Sequence, residues 1–112
     1  MNYEEEITQL IANSGMAKSF SMEAIQEARA GNPDRARELL EDAKESFILA
    51  HAIQTNLITQ EMSGEKVELS LLMVHAQDHL MTSMTTRDLA VEIINLYDVI
   101  TELKERLWKI YY

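Results

Sequence analysis

The sequence lacks cysteine altogether and contains little glycine or proline. Its 112 residues include no Cys, three Gly and one Pro. Without cysteine, the chain can form no disulfide, no thiolate metal site and no cysteine nucleophile. So few glycines and prolines argue against a loop-rich β sandwich and against a glycine-rich loop that cradles phosphates. These shortages favour long helices joined by few turns.

Positive charge and long apolar runs are also scarce. The formal net charge of −9 argues against a nucleic-acid binder, because affinity for a duplex comes largely from Lys and Arg. No run of about 18 apolar residues is present to cross a bilayer, and residues 1–6 are acidic where a secretory signal needs a basic stretch. Apolar residues make up 46% of the chain, which is enough for the core of one domain. We therefore expect a soluble, cytoplasmic protein with a single domain over residues 1–112.

Two groups of helix-breaking residues divide the chain into three long segments. In the first group, Gly31 suits the position after a helix end, Asn32 suits an N-cap and Pro33 suits a first helical turn. The second group is Ser63 and Gly64. The predicted helices span about residues 3–30, 33–62 and 66–110. Because short connections force neighbouring helices to run antiparallel, the predicted fold is an all-α, antiparallel three-helix bundle.

Small and apolar residues predict the buried faces of the first two helices. They recur at alternating steps of three and four residues, which is the spacing of a packed helix face. The small side chains among them allow neighbouring helices to approach closely. In the first segment these residues are Ile7, Leu10, Ser14, Ala17, Ser21, Ala24 and Ala28, and in the second they are Ala36, Leu40, Ala43, Phe47, Ala50, Gln54 and Leu57.

The third segment is apolar on more than one side. Leu71 and Leu72 lie on one side of the predicted helix, whereas Met73, Leu80 and Met84 lie on another. A helix that is apolar all round must be covered all round. Because two partner helices in one chain cannot do this, we predict a homo-oligomer, for which closed cyclic symmetry is the usual arrangement.

A polar cluster interrupts the apolar side chains of this segment. His75, Asp78 and His79 share one helix face, and Thr82 follows one turn later. Such a cluster is costly to bury unless its groups are hydrogen-bonded or coordinated. Three interpretations remain open. The groups could satisfy one another in a polar core layer, they could bind a metal through both imidazoles and the carboxylate, or one histidine could be a nucleophile that carries a group.

The residues around this cluster resemble a known family. Residues 63–72 read Ser-Gly-Glu-Lys-Val-Glu-Leu-Ser-Leu-Leu, and residues 74–82 read Val-His-Ala-Gln-Asp-His-Leu-Met-Thr. Both runs closely resemble the enzyme IIA component of the lactose/cellobiose class of the bacterial sugar phosphotransferase system. Residues 19–24 and 50–58 add to the resemblance. It covers about residues 11–97, whereas the aromatic tail at residues 108–112 departs from the family.

The resemblance implies a cytoplasmic phosphoryl carrier that assembles as a homotrimer of three-helix subunits. His75 would accept a phosphoryl group from the histidine-containing phosphocarrier protein and pass it to a cysteine of enzyme IIB. The IIC membrane component would then couple this transfer to uptake and phosphorylation of a disaccharide such as lactose or cellobiose.

The resemblance also implies roles for the neighbours of His75. Asp78 would bind Mg²⁺ or a similar divalent cation near the trimer axis, one per trimer, and Gln77 and His79 would support the active histidine. The alternative function is a non-catalytic helical oligomer, in which the His and Asp residues hold a structural metal or form a polar core layer.

Overall fold

The computed structural model describes residues 3–112, and this part of the chain forms three helices without a strand. Helix α1 spans Glu4–Arg29, α2 spans Pro33–Met62 and α3 spans Leu71–Tyr111. Residues 1 and 2 of the predicted domain lie outside the described residues. The prediction of an all-α three-helix bundle is confirmed.

The two connections turn at glycines, as the sequence predicts. Gly31 has a φ of 89° and Gly64 a φ of 100°, which lie in a region that side chains with a Cβ rarely adopt. Asn32 occupies the N-cap position of α2, and Pro33 opens the helix. Because these turns are short, α2 returns alongside α1 in the opposite direction.

Helix α3 begins at Leu71 rather than near residue 66. Ser70 is its N-cap, and the Ser70 hydroxyl accepts a hydrogen bond from the Met73 backbone N–H at 3.1 Å. This bond satisfies one of the amide groups that have no partner at the start of a helix. Residues 65–70 are extended or irregular, so His75 lies in the second turn of α3.

The predicted buried faces agree closely with the structure. All seven predicted positions of α1 are buried. Five of the seven predicted for α2 are buried, Phe47 and Gln54 are half-buried, and Leu39 and Ser46 join the buried set. One apolar cluster contains Leu10, Leu57 and Leu80, and a second, at the other end of the bundle, contains Leu39 and Ile94. These clusters show that α3 runs parallel to α1 and antiparallel to α2. Their full memberships are Tyr3, Ile7, Leu10, Ala50, Leu57, Met73, Ala76 and Leu80 in one, and Ala24, Ala28, Ala36, Leu39, Leu40, Ala90 and Ile94 in the other.

Membrane insertion would require a long apolar helix. None of the three helices within residues 3–112 has the length and hydropathy needed to span a bilayer.

Candidate functional site

The candidate site lies on a face of α3 that the other two helices leave largely uncovered. Side chains at alternating steps of three and four residues form this face, and each is exposed or half-buried. We call this row the open seam. Its members along the bundle are Leu72, His75, His79, Thr82, Thr86, Leu89, Ile93 and Leu96. Leu89 and Leu96 are 57% and 60% exposed, which agrees with the prediction that α3 needs more cover than one chain supplies.

Two of the predicted site residues, His75 and His79, contact each other directly within the open seam. Their Nε2 atoms lie 3.1 Å apart, and their rings meet edge to face with centroids 4.5 Å apart. Neutral imidazole carries one proton on its two ring nitrogens, so one ring donates and the other accepts. The pair therefore shares one hydrogen bond between two Nε2 atoms.

The burial of His79 Nδ1 favours one direction for this hydrogen bond. His79 Nδ1 is buried and has no hydrogen-bond partner in the described chain. A proton at Nδ1 would create a buried N–H group without an acceptor, which is more unfavourable than a buried acceptor without a donor. The favoured tautomer of His79 therefore carries its proton on Nε2 and donates to His75. His75 consequently holds a lone pair on Nε2 and its proton on Nδ1.

The position of His75 suits contact with an anionic group. Its side chain is exposed in the single chain, and it lies in the second turn of α3, near the partial positive charge of the helix N-terminus. The first turn of α3 contains no acidic residue. Once released from the hydrogen bond with His79, the lone pair on His75 Nε2 can act as a nucleophile toward an electrophilic phosphorus or carbon atom.

Asp78 lies beside the open seam and is exposed. Its backbone carbonyl accepts a hydrogen bond from the Thr82 hydroxyl at 2.9 Å, whereas its carboxylate has no partner within residues 3–112. In that same part of the chain, no group of three His, Asp or Glu side chains is placed to hold a metal ion. Within the described residues, His75, His79 and Asp78 are therefore not arranged as one three-ligand site. The two imidazoles bond to each other instead.

The donor chemistry of Asp78 still fits a hard divalent cation. Mg²⁺ prefers about six oxygen ligands and commonly takes one or two of them from carboxylates. A single exposed carboxylate supplies too few ligands alone, so a cation at Asp78 would need oxygens from further copies of the chain or from water.

Gln77 is directed toward α2 rather than toward His75. Its Oε1 accepts a hydrogen bond from Gln54 Nε2 at 2.7 Å, and its Nε2 donates to Met73 Sδ at 3.7 Å. Residues two apart on a helix do not share a face. The structure therefore does not bring Gln77 together with the histidine pair, and Gln77 instead links α3 to α2.

Lys18 is a site neighbour that the sequence analysis did not identify. Its Nζ donates a hydrogen bond to the Thr82 hydroxyl at 3.0 Å, across 64 residues of sequence. Thr82 follows His79 by one helical turn, so α1 contributes a cation at the border of the open seam. No motif in the sequence links these two residues, and only the parallel packing of α1 on α3 reveals the contact.

The fold and the site define an all-α protein that carries two contacting histidines on an open helix face. A sequence model of the family described as "PTS system, Lactose/Cellobiose specific IIA subunit" matches residues 5–98. The chain therefore belongs to the lactose/cellobiose-specific IIA family of the phosphotransferase system.

Relatives of known sequence and structure agree with this assignment. The chain is 53% identical to the lichenan-specific phosphotransferase enzyme IIA component of Bacillus subtilis, with 91% of this chain and 94% of the relative covered. The crystal structure of the cellobiose-specific enzyme IIA from Bacillus anthracis is similar at a TM-score of 0.88 and 47% identity, covering 91% of this chain and 94% of that chain. The chitobiose IIA of Escherichia coli, solved in complex with HPr, is similar at a TM-score of 0.78 and 37% identity, covering 90% and 98%.

The assigned tautomers can be tested directly by nuclear magnetic resonance. We expect long-range ¹H–¹⁵N correlation spectra of the unphosphorylated protein, recorded above the pH at which histidine charges, to show a protonated Nε2 for His79 and a protonated Nδ1 for His75. His51, exposed and stacked on Phe47 at 5.7 Å, provides the reference for an imidazole outside the pair. The reverse assignment for the pair would contradict the argument from the buried His79 Nδ1.

Proposed function

We propose that this chain is a phosphoryl carrier that accepts a phosphoryl group on His75 from the histidine-containing phosphocarrier protein, HPr. The group then passes to a cysteine of an enzyme IIB, in the cytoplasm, and finally to a disaccharide such as lactose or cellobiose during uptake through a IIC membrane component. Membership of the IIA family and the solved complex of the chitobiose relative with HPr support these partners. The observation that carries the proposal is the exposed His75 imidazole, whose Nε2 lies 3.1 Å from His79 Nε2.

The acceptance step needs no proton to leave His75. The hydrogen bond from His79 Nε2–H to His75 Nε2 breaks, the freed lone pair on His75 Nε2 attacks the phosphorus of the phosphohistidine on HPr, and a new P–N bond forms. The P–N bond to the HPr imidazole breaks, and that ring retains the electron pair. The rate of such a phosphoryl transfer depends mainly on two contributions of the protein. It must align the attacking nitrogen, the phosphorus and the leaving nitrogen, and it must stabilise the phosphoryl charge.

His79 acts first as a partner of His75 and then as a partner of the phosphoryl group. Before transfer, its Nε2–H donates to the nitrogen that will attack. Once that nitrogen carries phosphorus, the same N–H is close to a phosphoryl oxygen and can donate to it. A hydrogen bond to a charged oxygen is stronger than one between neutral groups, so the switch favours the phosphorylated state.

Some charges around the site favour an added phosphoryl group, and others repel it. The N-terminus of α3 and the Lys18 ammonium favour an added phosphoryl group. The Asp78 carboxylate, in contrast, repels a dianion, and three symmetry-related copies would repel it more strongly. We propose that in a homotrimer the three Asp78 carboxylates hold one Mg²⁺ or similar divalent cation, which offsets their charge. Gln77 supports the site indirectly, through the α2 contact that fixes α3.

Phosphorylation is the direct test of the function. We expect incubation with phosphoenolpyruvate, enzyme I and HPr to add one acid-labile phosphoryl group to the wild-type chain and to the control variant His51→Gln. His75→Gln should acquire none, because no other exposed imidazole faces a hydrogen-bond donor in the described residues. Intact-mass spectrometry checks this result. Failure of the wild-type chain to be phosphorylated by active upstream proteins would favour the non-catalytic oligomer, in which His75 belongs to a structural layer.

The role of His79 predicts a partial loss of rate. In His79→Ala, His75 keeps its nucleophilic nitrogen but loses the donor to the phosphoryl oxygen, so we expect transfer from HPr to slow by about 10²-fold or less, without being abolished. The measurement is the rate of phosphorylation of His75 under single-turnover conditions. An unchanged rate would exclude the proposed donation, and complete loss would point to a covalent role for His79.

The cation predicted at Asp78 can be measured without an activity assay. Native mass spectrometry and Mn²⁺ binding followed by electron paramagnetic resonance should detect one divalent cation per three wild-type chains. Asp78→Asn should lose this binding, because each amide lacks the negative charge that the cation neutralises. The control variant Asp88→Asn, at another exposed acidic position of α3, should retain it. Equal binding by all three proteins would contradict the Asp78 site.

A further inference from the structure

Two buried polar atoms without a partner belong to the neighbouring helices α1 and α3. Among residues 3–112, the buried side-chain atoms that lack a hydrogen bond are Ser14 Oγ, Gln60 Oε1 and His79 Nδ1. Such atoms are few in folded proteins, because each one loses its bonds to water and gains nothing in return. Ser14 lies in α1 and His79 in α3, so the packing of these two helices decides whether the two atoms are neighbours.

The packing of α1 on α3 brings Ser14 and His79 to the same level of the bundle. The two helices run parallel, and Lys18 Nζ contacts Thr82 Oγ1 at 3.0 Å. Ser14 precedes Lys18 by four residues, a rise of about 6 Å, and His79 precedes Thr82 by three, a rise of about 4.5 Å. Both residues therefore lie one turn before the Lys18–Thr82 contact, at nearly the same height.

His79 lies on the side of α3 that borders α1. Side chains three residues apart share a helix face, so His79 shares the side of Thr82, which meets Lys18 of α1. The two ring nitrogens of His79 have different surroundings, since Nε2 contacts His75 in the open seam whereas Nδ1 is buried. The fully buried residue of α1 at this level is Ser14, which is 0% exposed.

The Ser14 hydroxyl is not bonded within its own helix. Two other buried serines donate back to their own helix, Ser21 to the Ala17 carbonyl and Ser83 to the Leu80 carbonyl, both at 2.7 Å. This is the usual bond of a serine inside a helix. Ser14 Oγ makes no such bond, so its proton is available to an acceptor outside α1.

We propose that the Ser14 hydroxyl donates a hydrogen bond to His79 Nδ1, either after a rotation of the serine side chain or through one water molecule. In neutral histidine, the nitrogen that carries the proton is set by the hydrogen bond that the other nitrogen makes. A donor at Nδ1 therefore holds the proton of His79 on Nε2. The effect of this bond on transfer rests on the proposed function, whereas the bond itself does not.

The bond makes Ser14 a positioning residue for His75. If His79 carried its proton on Nδ1, its Nε2 would be an acceptor only, and His75 would have to donate from Nε2 to keep the contact between the rings. The His75 nitrogen that attacks phosphorus would then have no free lone pair. Ser14 thus acts through His79 to keep that nitrogen unprotonated, and to keep the His79 N–H ready for a phosphoryl oxygen.

The tautomer of His79 in Ser14→Ala provides the first test. Alanine is the best helix former, so the variant keeps its fold and loses one hydroxyl. In long-range ¹H–¹⁵N spectra of the unphosphorylated full chain, we expect the ratio of Nδ1-protonated to Nε2-protonated His79 to rise by about two- to tenfold, which is the net worth of one hydrogen bond.

The matched control is Ser21→Ala, which removes a hydroxyl from the same buried row of α1, two turns away, where the bond goes to the Ala17 carbonyl. It should leave His79 as in the wild type. An unchanged His79 ratio in Ser14→Ala, or an equal change in both variants, would overturn the proposal.

The rate of phosphoryl transfer from HPr provides the second test. We expect Ser14→Ala to slow single-turnover phosphorylation of His75 by about two- to tenfold, and Ser21→Ala to leave it unchanged. In the His79→Ala background, Ser14→Ala should cause no further loss, because Ser14 acts only through His79. An equal loss in both backgrounds would indicate a packing role for Ser14 and overturn the proposal.

Failure of this inference and failure of the proposed function give different results. A chain in which Ser14→Ala shifts the His79 tautomer, but whose wild type accepts no phosphoryl group, would retain the hydrogen bond and lose the carrier function. A wild type that is phosphorylated on His75, but whose His79 spectrum is identical to that of Ser14→Ala, would retain the function and exclude the role of Ser14.

Discussion

The covering of α3 is the constraint on which the rest of the structure depends. One side of this helix, with Met73, Leu80 and Ile94, is buried against α1 and α2. A neighbouring side carries the apolar residues Leu89 and Leu96, which are more than half exposed. A three-helix bundle has no further element to place there, so the burial of apolar area favours self-association of the chain.

The histidine pair lies on the exposed side of α3, at positions where leucine side chains would bury more apolar area in an interface. The interior of an interface penalises polar groups that lack partners, and His79 Nδ1 is already buried without one. The Nε2–Nε2 bond reduces that penalty for the other nitrogen, and it leaves the His75 lone pair directed at a donor that can later serve a phosphoryl oxygen. The same contact that lowers the energy of the resting site therefore places the His79 N–H donor beside the nitrogen that would carry the phosphoryl group. The N-terminus of α3, capped by Ser70, lies about one turn from His75. Its partial positive charge would favour a negatively charged phosphoryl group on His75.

Helical periodicity and short motifs in the sequence predicted most of the fold, but they predicted only part of the site. The alternation of three and four residues predicted every buried position of α1, because helical periodicity alone decides which side chains share a face. The start of α3 was misplaced by several residues, since nothing from Glu65 to Leu69 forbids a helix and the decisive feature is the Ser70 cap. The motif identified His75 and His79, which are neighbours along the helix. It associated Gln77 with them as well, although the structure directs that side chain to Gln54 of α2. Contacts between helices, such as that of Lys18 with Thr82, depend on packing and leave no local signal.

The polar residues of the open seam limit how strongly any partner surface can cover α3. The seam lacks apolar contacts at His75, His79, Thr82 and Thr86. Each leucine or isoleucine that becomes fully buried contributes roughly 1.5–3 kcal/mol, so four polar positions weaken an interface along this part of the helix substantially. The same four positions keep polar groups available where the proposed function needs them, around the His75 imidazole.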